Sequence, residues 1–256
     1  MKQKTYYYKS LTDDVEDDHI KDKVIDENYT YIHKNVFYKF FGNIYYWVLL
    51  RPFAFVYAKF FKRVKIENRK VLKKANGSGY FLYGNHTNNI LDAFDPSFVC
   101  KKKPYIIVNP KNLNIPPFKS STAMLGALPL PSTLQASKHF LTAVKTRIDE
   151  NRSIIIYPEA KIWPCYTGVR PFKKGSFKYP ISMQKPAFCM TTTYQKTKHN
   201  HCKIVVYVDG PFEVDKTKSP KEQEEQLEQM IFETMSQRSK KSDFETHKYI
   251  KLENDK

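Results

Sequence analysis

Glycine is scarce in this chain of 256 residues: there are eight, and their one cluster, Asn76-Gly77-Ser78-Gly79, reads as a turn rather than a loop that cradles phosphates. Cysteine is scarcer still. Cys100, Cys165, Cys189 and Cys202 include no C-x-x-C pair, which argues against a zinc site or a disulfide framework and fits a reducing compartment. Long apolar runs are missing too. The longest uncharged stretch of the aromatic segment, Phe40 to Leu50, is eleven residues, against about 20 for a spanning helix. The opening MKQKTYYYKSLTDDVEDD holds neither an apolar core nor a small-residue cleavage site, so the cytoplasmic side is expected rather than export. No zinc-finger spacing or RNP-type sequence appears, and nucleic acid is not an expected partner.

Positive charge is plentiful. Lys plus Arg total 43 against 26 Asp plus Glu, a formal net charge of +17, which calls for anionic partners. Apolar residues at 41% and aromatics at 15% suffice to offset the ordering entropy of a folded chain. Residues 1–30 carry five Lys, eight acidic side chains and little apolar surface, and read as a polar acidic arm, solvated and flexible. Residues 31–65 switch to seven Lys or Arg, thirteen aromatics and no acid. A water-facing helix usually mixes signs. This segment reads instead as one or two basic aromatic helices in a membrane interface, peripheral or monotopic. Trp47, Phe53, Phe55, Phe60 and Phe61 would lie at the acyl boundary, with Lys59, Lys62 and Arg63 toward anionic phospholipid headgroups. Pro52 is expected to break or kink the pair.

Beyond this segment, short apolar runs rich in β-branched and aromatic residues predict strands at Tyr80–Tyr83, Tyr105–Val108, Ser153–Tyr157, Ala187–Thr192 and Lys203–Val208. Helical candidates lie near 89–101 and 135–150. Ser219-Pro220-Lys221-Glu222 supplies a capping box and a first-turn proline for a further helix, whose stripe is Leu227, Met230, Ile231 and Met235. Strands interleaved with helices indicate an α/β protein. The tail from 239 to 256 reads as polar and solvated.

Two clusters carry chemistry. The first predicted strand runs into Gly84-Asn85-His86-Thr87-Asn88-Asn89-Ile90-Leu91-Asp92, with Asp95-Pro96 beyond. A carboxylate that accepts from one imidazole nitrogen leaves the other free to act as a base. A second strand runs into Tyr157-Pro158-Glu159-Ala160-Lys161, followed by Arg170-Pro171-Phe172-Lys173. In α/β sheets, ligands bind beyond the carboxyl ends of strands, and cations there suit a phosphate. His199, His201 and Cys202 lack a further partner pair and read as a solvated turn, so no metal is expected.

Asn85-His86 with Asp92, then Lys111-Asn112-Leu113 with Pro117-Phe118 and Gly126-Ala127-Leu128-Pro129, then Tyr157-Pro158-Glu159, then Lys185-Pro186-Ala187, follow the order of the four sequence blocks of the glycerolipid acyltransferases. The chain resembles the lysophosphatidate acyltransferase family over roughly residues 35 to 212. The resemblance implies an α/β fold with a central mixed sheet flanked by helices, an N-terminal interfacial helical pair, and a catalytic domain over 66–238. It implies transfer of a fatty acyl group from acyl-CoA or acyl carrier protein to the hydroxyl of a lysophospholipid, 1-acyl-sn-glycerol-3-phosphate, giving phosphatidate, with no cofactor. On the same basis His86 is the general base and Asp92 its orienting partner. Asn85 and Glu159 would help form the acceptor site, and Lys111, Lys161, Arg170 and Lys173 would face phosphate.

The chain departs from the family pattern at several points. His86 and Asp92 enclose five residues rather than four, and the usual spacing falls on Leu91; Asp95 is the other candidate for Asp92's role. Ala160 stands where the family usually has Gly, and Ile162 where it has Arg, so Lys161 or Arg170 would have to supply that charge. Glycerol-3-phosphate or another lysolipid is an alternative acceptor. A catalytically silent lipid-binding protein is the alternative of a different class.

Overall fold

The computed structural model describes residues 3–16, 20–21, 23–88, 90–114 and 121–252. Strand β1 (Thr5–Tyr8) is followed by α1 (Val36–Ile44), a π-helical turn Tyr45–Leu50, α2 (Arg51–Val56) and a second π-helical turn Tyr57–Phe61. Then come β2 (Lys65–Glu67), β3 (Tyr80–Gly84), α3 (Leu91–Val99), β4 (Tyr105–Val108), α4 (Thr122–Leu125) and β5 (Ala127–Pro129). α5 (Leu134–Asp149), β6 (Ser153–Ile156), α6 (Lys178–Met183), β7 (Ala187–Lys196), β8 (Cys202–Phe212), α7 (Pro220–Ser239) and β9 (Lys248–Lys251) complete the order. Asn89, Pro117 and Phe118 lie outside the described residues.

Seven strands form a mixed sheet in the order β2-β8-β7-β3-β6-β4-β5. β3 pairs in parallel with both β6 and β7, and β4 in parallel with β5 and β6, while β7 and β8 run antiparallel. The central strands are short and apolar throughout because both sheet faces are covered. Leu82 and Ile155 point into one core layer with Phe94, Phe98 and Val206. Phe81, Tyr83, Ile154 and Ile156 point into the other, against Phe140 and Val144 of α5 and Leu227, Ile231 and Met235 of α7. The alternation is the two-residue period of a strand. The capping box of α7 is formed as expected, with Ser219 and Glu222 reciprocally bonded.

The helical run from Val36 to Phe61 differs from the expected broken pair. The junction residues Ile44, Tyr45, Leu50, Arg51, Val56 and Tyr57 all keep right-handed helical backbone, so Pro52 does not interrupt the path. The wide turn before it already replaces the regular hydrogen-bond ladder, as where the Arg51 N–H donates to the Tyr46 carbonyl. These wide turns also explain which face is buried. Gly42, Tyr46, Ala54 and Ala58 are buried, with the part-buried Leu50 between them. At 3.6 residues per turn, each four-residue step would drift by roughly 40°, and π-helical turns correct that drift. Trp47, Phe53, Phe55, Phe60 and Phe61 are left exposed on the other side, Phe61 by 74%. Arg51 lies over the Trp47 ring and Lys59 over Phe55, at 4.6 and 5.3 Å from the ring centroids. Lys62 is half-buried, within 5.7 Å of the Tyr57 ring centre, and Arg63 is exposed where the run ends. Among the described residues, no helix is long and apolar enough to cross a membrane.

Two expectations need correction. The 1–30 arm and the 239–256 tail read as solvated, but β1 pairs with β9 in a parallel two-stranded sheet, with Tyr6 opposite Tyr249. Ile25 is fully buried, its N–H donating to the Ser132 hydroxyl. The apolar surface that drives this docking belongs to aromatic rings spread among charges, a pattern that composition counts as polar.

Candidate active site

The carboxyl ends of β3, β6 and β4 lie side by side on one edge of the sheet, because the three strands are adjacent and parallel. His86 follows β3, Glu159 follows β6 and Lys111 follows β4, so one edge collects all three. Lys111 lies in the 3-10 turn Pro110–Asn114, where its N–H donates to the Asn109 side chain.

The loop carrying His86 is tied down at each residue. Asn85 is buried, and its amide both donates to the Thr192 carbonyl and accepts from the Thr192 N–H, at 3.0 and 2.8 Å. This corrects its expected part in substrate binding: both ends of the amide are spent on anchoring the loop to β7. The His86 carbonyl accepts from the Trp163 backbone N–H, and the Thr87 carbonyl accepts from the Cys165 backbone N–H and the Tyr194 hydroxyl.

Asp92, not Asp95, meets the histidine. A carboxylate only accepts, so His86 Nδ1 donates to Asp92 Oδ2, at 2.8 Å, leaving Nε2 as the available base. The same Asp92 oxygen accepts from the Asn88 N–H, and the Asn88 side chain caps the start of α3 by accepting from Leu91 N–H. The extra residue of the spacing is absorbed ahead of α3, which turns Leu91 into the core and Asp92 toward the imidazole. Asp95 is buried, and neither of its oxygens has a hydrogen-bond partner among the described residues. Burial, and then the nearby Asp92, hold its carboxyl well above the usual range.

Glu159 is buried beneath this loop. Its carboxylate accepts from Arg170 Nε at 3.0 Å, from the Arg170 backbone N–H, and weakly from the His86 backbone N–H at 3.4 Å. Burial pushes its carboxyl up, against the pull of Arg170. Arg170 was expected to face phosphate and does not: it is itself buried, its guanidinium divided between Glu159 and the Lys161 carbonyl, with the Trp163 ring 5.0 Å away. The Lys161 ammonium is paired with Asp14 of the arm. Lys173 is exposed beside the turn, its N–H donating to the Pro158 carbonyl.

One neighbour of His86 was not singled out from the sequence. Tyr157 stacks on the imidazole, ring centroids 4.7 Å apart at 24°, and its hydroxyl donates to the Asp92 carbonyl at 2.5 Å. Its position immediately before Pro158-Glu159 was the only available signal. Among the described residues no group of three or more His, Cys, Asp or Glu is placed to hold a metal ion.

No curated protein matches the chain. Among solved structures, the crystal structure of the 1-acyl-sn-glycerophosphate (LPA) acyltransferase PlsC from Thermotoga maritima is similar, with a TM-score of 0.51 at 18% identity, covering 80% of this chain and 92% of that one. At that identity the likeness speaks for the fold alone: the mixed sheet flanked by helices, with a helical N-terminal segment. The sequence model of the Acyltransferase family matches residues 63–208, more than half of the chain and including both the His86–Asp92 pair and Glu159. The chain therefore belongs to the Acyltransferase family.

Proposed function

We propose that this acyltransferase moves a fatty acyl group from a thioester, acyl-CoA or acyl carrier protein, to the free hydroxyl of 1-acyl-sn-glycerol-3-phosphate, giving phosphatidate. The observation that carries the reading is the 2.8 Å bond from His86 Nδ1 to Asp92 Oδ2 at the edge where β3, β4 and β6 end. Nε2 takes the proton of the acceptor hydroxyl as its oxygen attacks the thioester carbonyl. Collapse of the tetrahedral intermediate forms the ester and expels the thiolate, which recovers the proton from His86 and leaves as the thiol. Backbone N–H groups near the strand end would steady the oxyanion, an effect typically worth about 3–4 kcal/mol. Lys111, Lys161 and Lys173 would supply charge for the phosphate, with Asp14 giving way at Lys161.

The acceptor is an amphiphile, and the exposed aromatic face of the Val36–Phe61 run suits the surface where it resides. Trp47, Phe53, Phe55, Phe60 and Phe61 enter the acyl boundary of an anionic membrane, while Lys59, Lys62 and Arg63 meet headgroups. The protein thus works as a peripheral or monotopic enzyme on the cytoplasmic face.

The test is phosphatidate formation by the purified protein on anionic vesicles, with lysophosphatidate as acceptor and both donors offered, for wild type and His86→Ala. Turnover in wild type that is lost in the variant, with unchanged vesicle binding, is expected. Vesicle binding without turnover on any lysolipid or on glycerol-3-phosphate would leave a lipid-binding protein instead.

A further inference from the structure

We propose that Tyr157 is a positioning residue for the His86–Asp92 pair, holding the imidazole with its ring and the Asp92 main chain with its hydroxyl. The inference rests on the acyl-transfer reading for what the pair does, but not for the geometry.

The need for the hydroxyl arises in α3 itself. In an α-helix the carbonyl of residue 92 accepts from the N–H of residue 96. Residue 96 is Pro96, inside the helix, and has no N–H to give. A buried carbonyl left without a donor is costly. The Tyr157 hydroxyl takes the vacant place, 2.5 Å from the Asp92 carbonyl oxygen. The helix thus accepts from the end of β6 the hydrogen bond that its own sequence denies it, at the residue whose carboxylate must meet His86.

The ring supplies the second hold. It lies on the imidazole at 4.7 Å between centroids, and it can lie there because residue 84 is glycine: a Cβ on Gly84 would sit 2.6 Å from Tyr157 Cε1. With five residues between His86 and Asp92, sequence proximity alone would let the two drift. A single rigid side chain that touches both fixes their separation from outside the loop. Burial, with Asp92 and Asp95 nearby, holds the phenol well above its usual range, so it remains an O–H donor.

Tyr157→Phe keeps the ring and removes only the hydroxyl. With thermal unfolding confirming the fold, kcat should fall about tenfold while the acceptor KM stays within about twofold, the pattern of lost positioning rather than lost binding. Pro96→Ala returns an N–H to face the Asp92 carbonyl, so Tyr157→Phe in that background should cost less than about threefold. A readout that needs no turnover is the imidazole nitrogen spectrum of 15N-histidine protein. Wild type should show one neutral tautomer at His86, protonated on Nδ1, and Tyr157→Phe a mixture of both. A variant that keeps the wild-type tautomer, or the wild-type kcat, overturns the proposal. If wild type is silent with every acceptor, the acyl-transfer reading alone is lost, and the tautomer comparison still judges the role of Tyr157.

Discussion

The Arg170 guanidinium reaches the Glu159 carboxylate at 2.8 Å, with side chains that are 1% and 0% exposed. A pair so enclosed cannot lend its charge to a substrate; it sets the shape of the loop. Glu159 also accepts from the His86 backbone N–H, so the pair is linked to the base through the main chain. Its two halves are far from equivalent to the fold as a unit, because removing one leaves the other charged, buried and alone.

Arg170→Met should therefore be severe. It strands the Glu159 carboxylate, at a cost of about 3–5 kcal/mol, and loosens the turn beside His86. The urea midpoint should drop sharply, and turnover should fall with it. A stability change within about 1 kcal/mol would mean that the pair contributes no more than a surface one.

Asp95 gives a pH signature. Its carboxyl titrates well above the ordinary range in the folded chain, so above the usual carboxylate pKa the unfolded chain has lost a proton that the folded chain keeps. Stability then falls as pH rises, by up to about 1.4 kcal/mol per pH unit for this one group. Asp95→Asn carries no such proton. Urea unfolding at pH 5, 6.5 and 8 should show the variant gaining on wild type as the pH rises from 5, and parallel curves would refute the assignment.

Ala160, in the turn after Glu159, has a φ of 63°. The left-handed region costs a residue with a Cβ about 1–2 kcal/mol, which gives a physical reason for glycine at this place in related chains. Gly's extra freedom in the unfolded chain takes back about 0.4–1 kcal/mol. Ala160→Gly should still gain about 0.5–1 kcal/mol, or about 1–3 °C in a scanning calorimeter. A fall in the midpoint would show that the turn holds its alanine without strain.

Much of this site was legible because its parts are local. Short apolar runs with buried neighbours on both faces could only be inner strands, and a His at the end of one strand and a Glu at the end of another are placed by the sheet itself. What stayed hidden depends on distant partners. Nothing beside Arg170 in the chain says that its guanidinium is spent on a residue eleven positions earlier, or that both ends of the Asn85 amide go to Thr192 on the adjacent strand, 107 positions later. The strand pattern of Thr5–Tyr8 is too polar to stand out, and its pairing lies 243 positions away. Pro52 misled for the opposite reason: its local rule is sound, but π-helical turns had already given up the bonds it would break.

That distant pairing bears on the order in which the protein can be finished. Trp163, which holds the His86 carbonyl from the neighbouring loop, is stacked on Tyr249 of β9 and packed against Tyr8 of β1. On a ribosome the first of these strands emerges 243 positions ahead of the other and must wait for it, since Lys248 and Leu252 supply N–H groups to Lys4 and Tyr8. The sheet can be complete while this clasp is still open. The loop behind the histidine therefore receives its outer wall only after every strand of the seven-stranded sheet has been made.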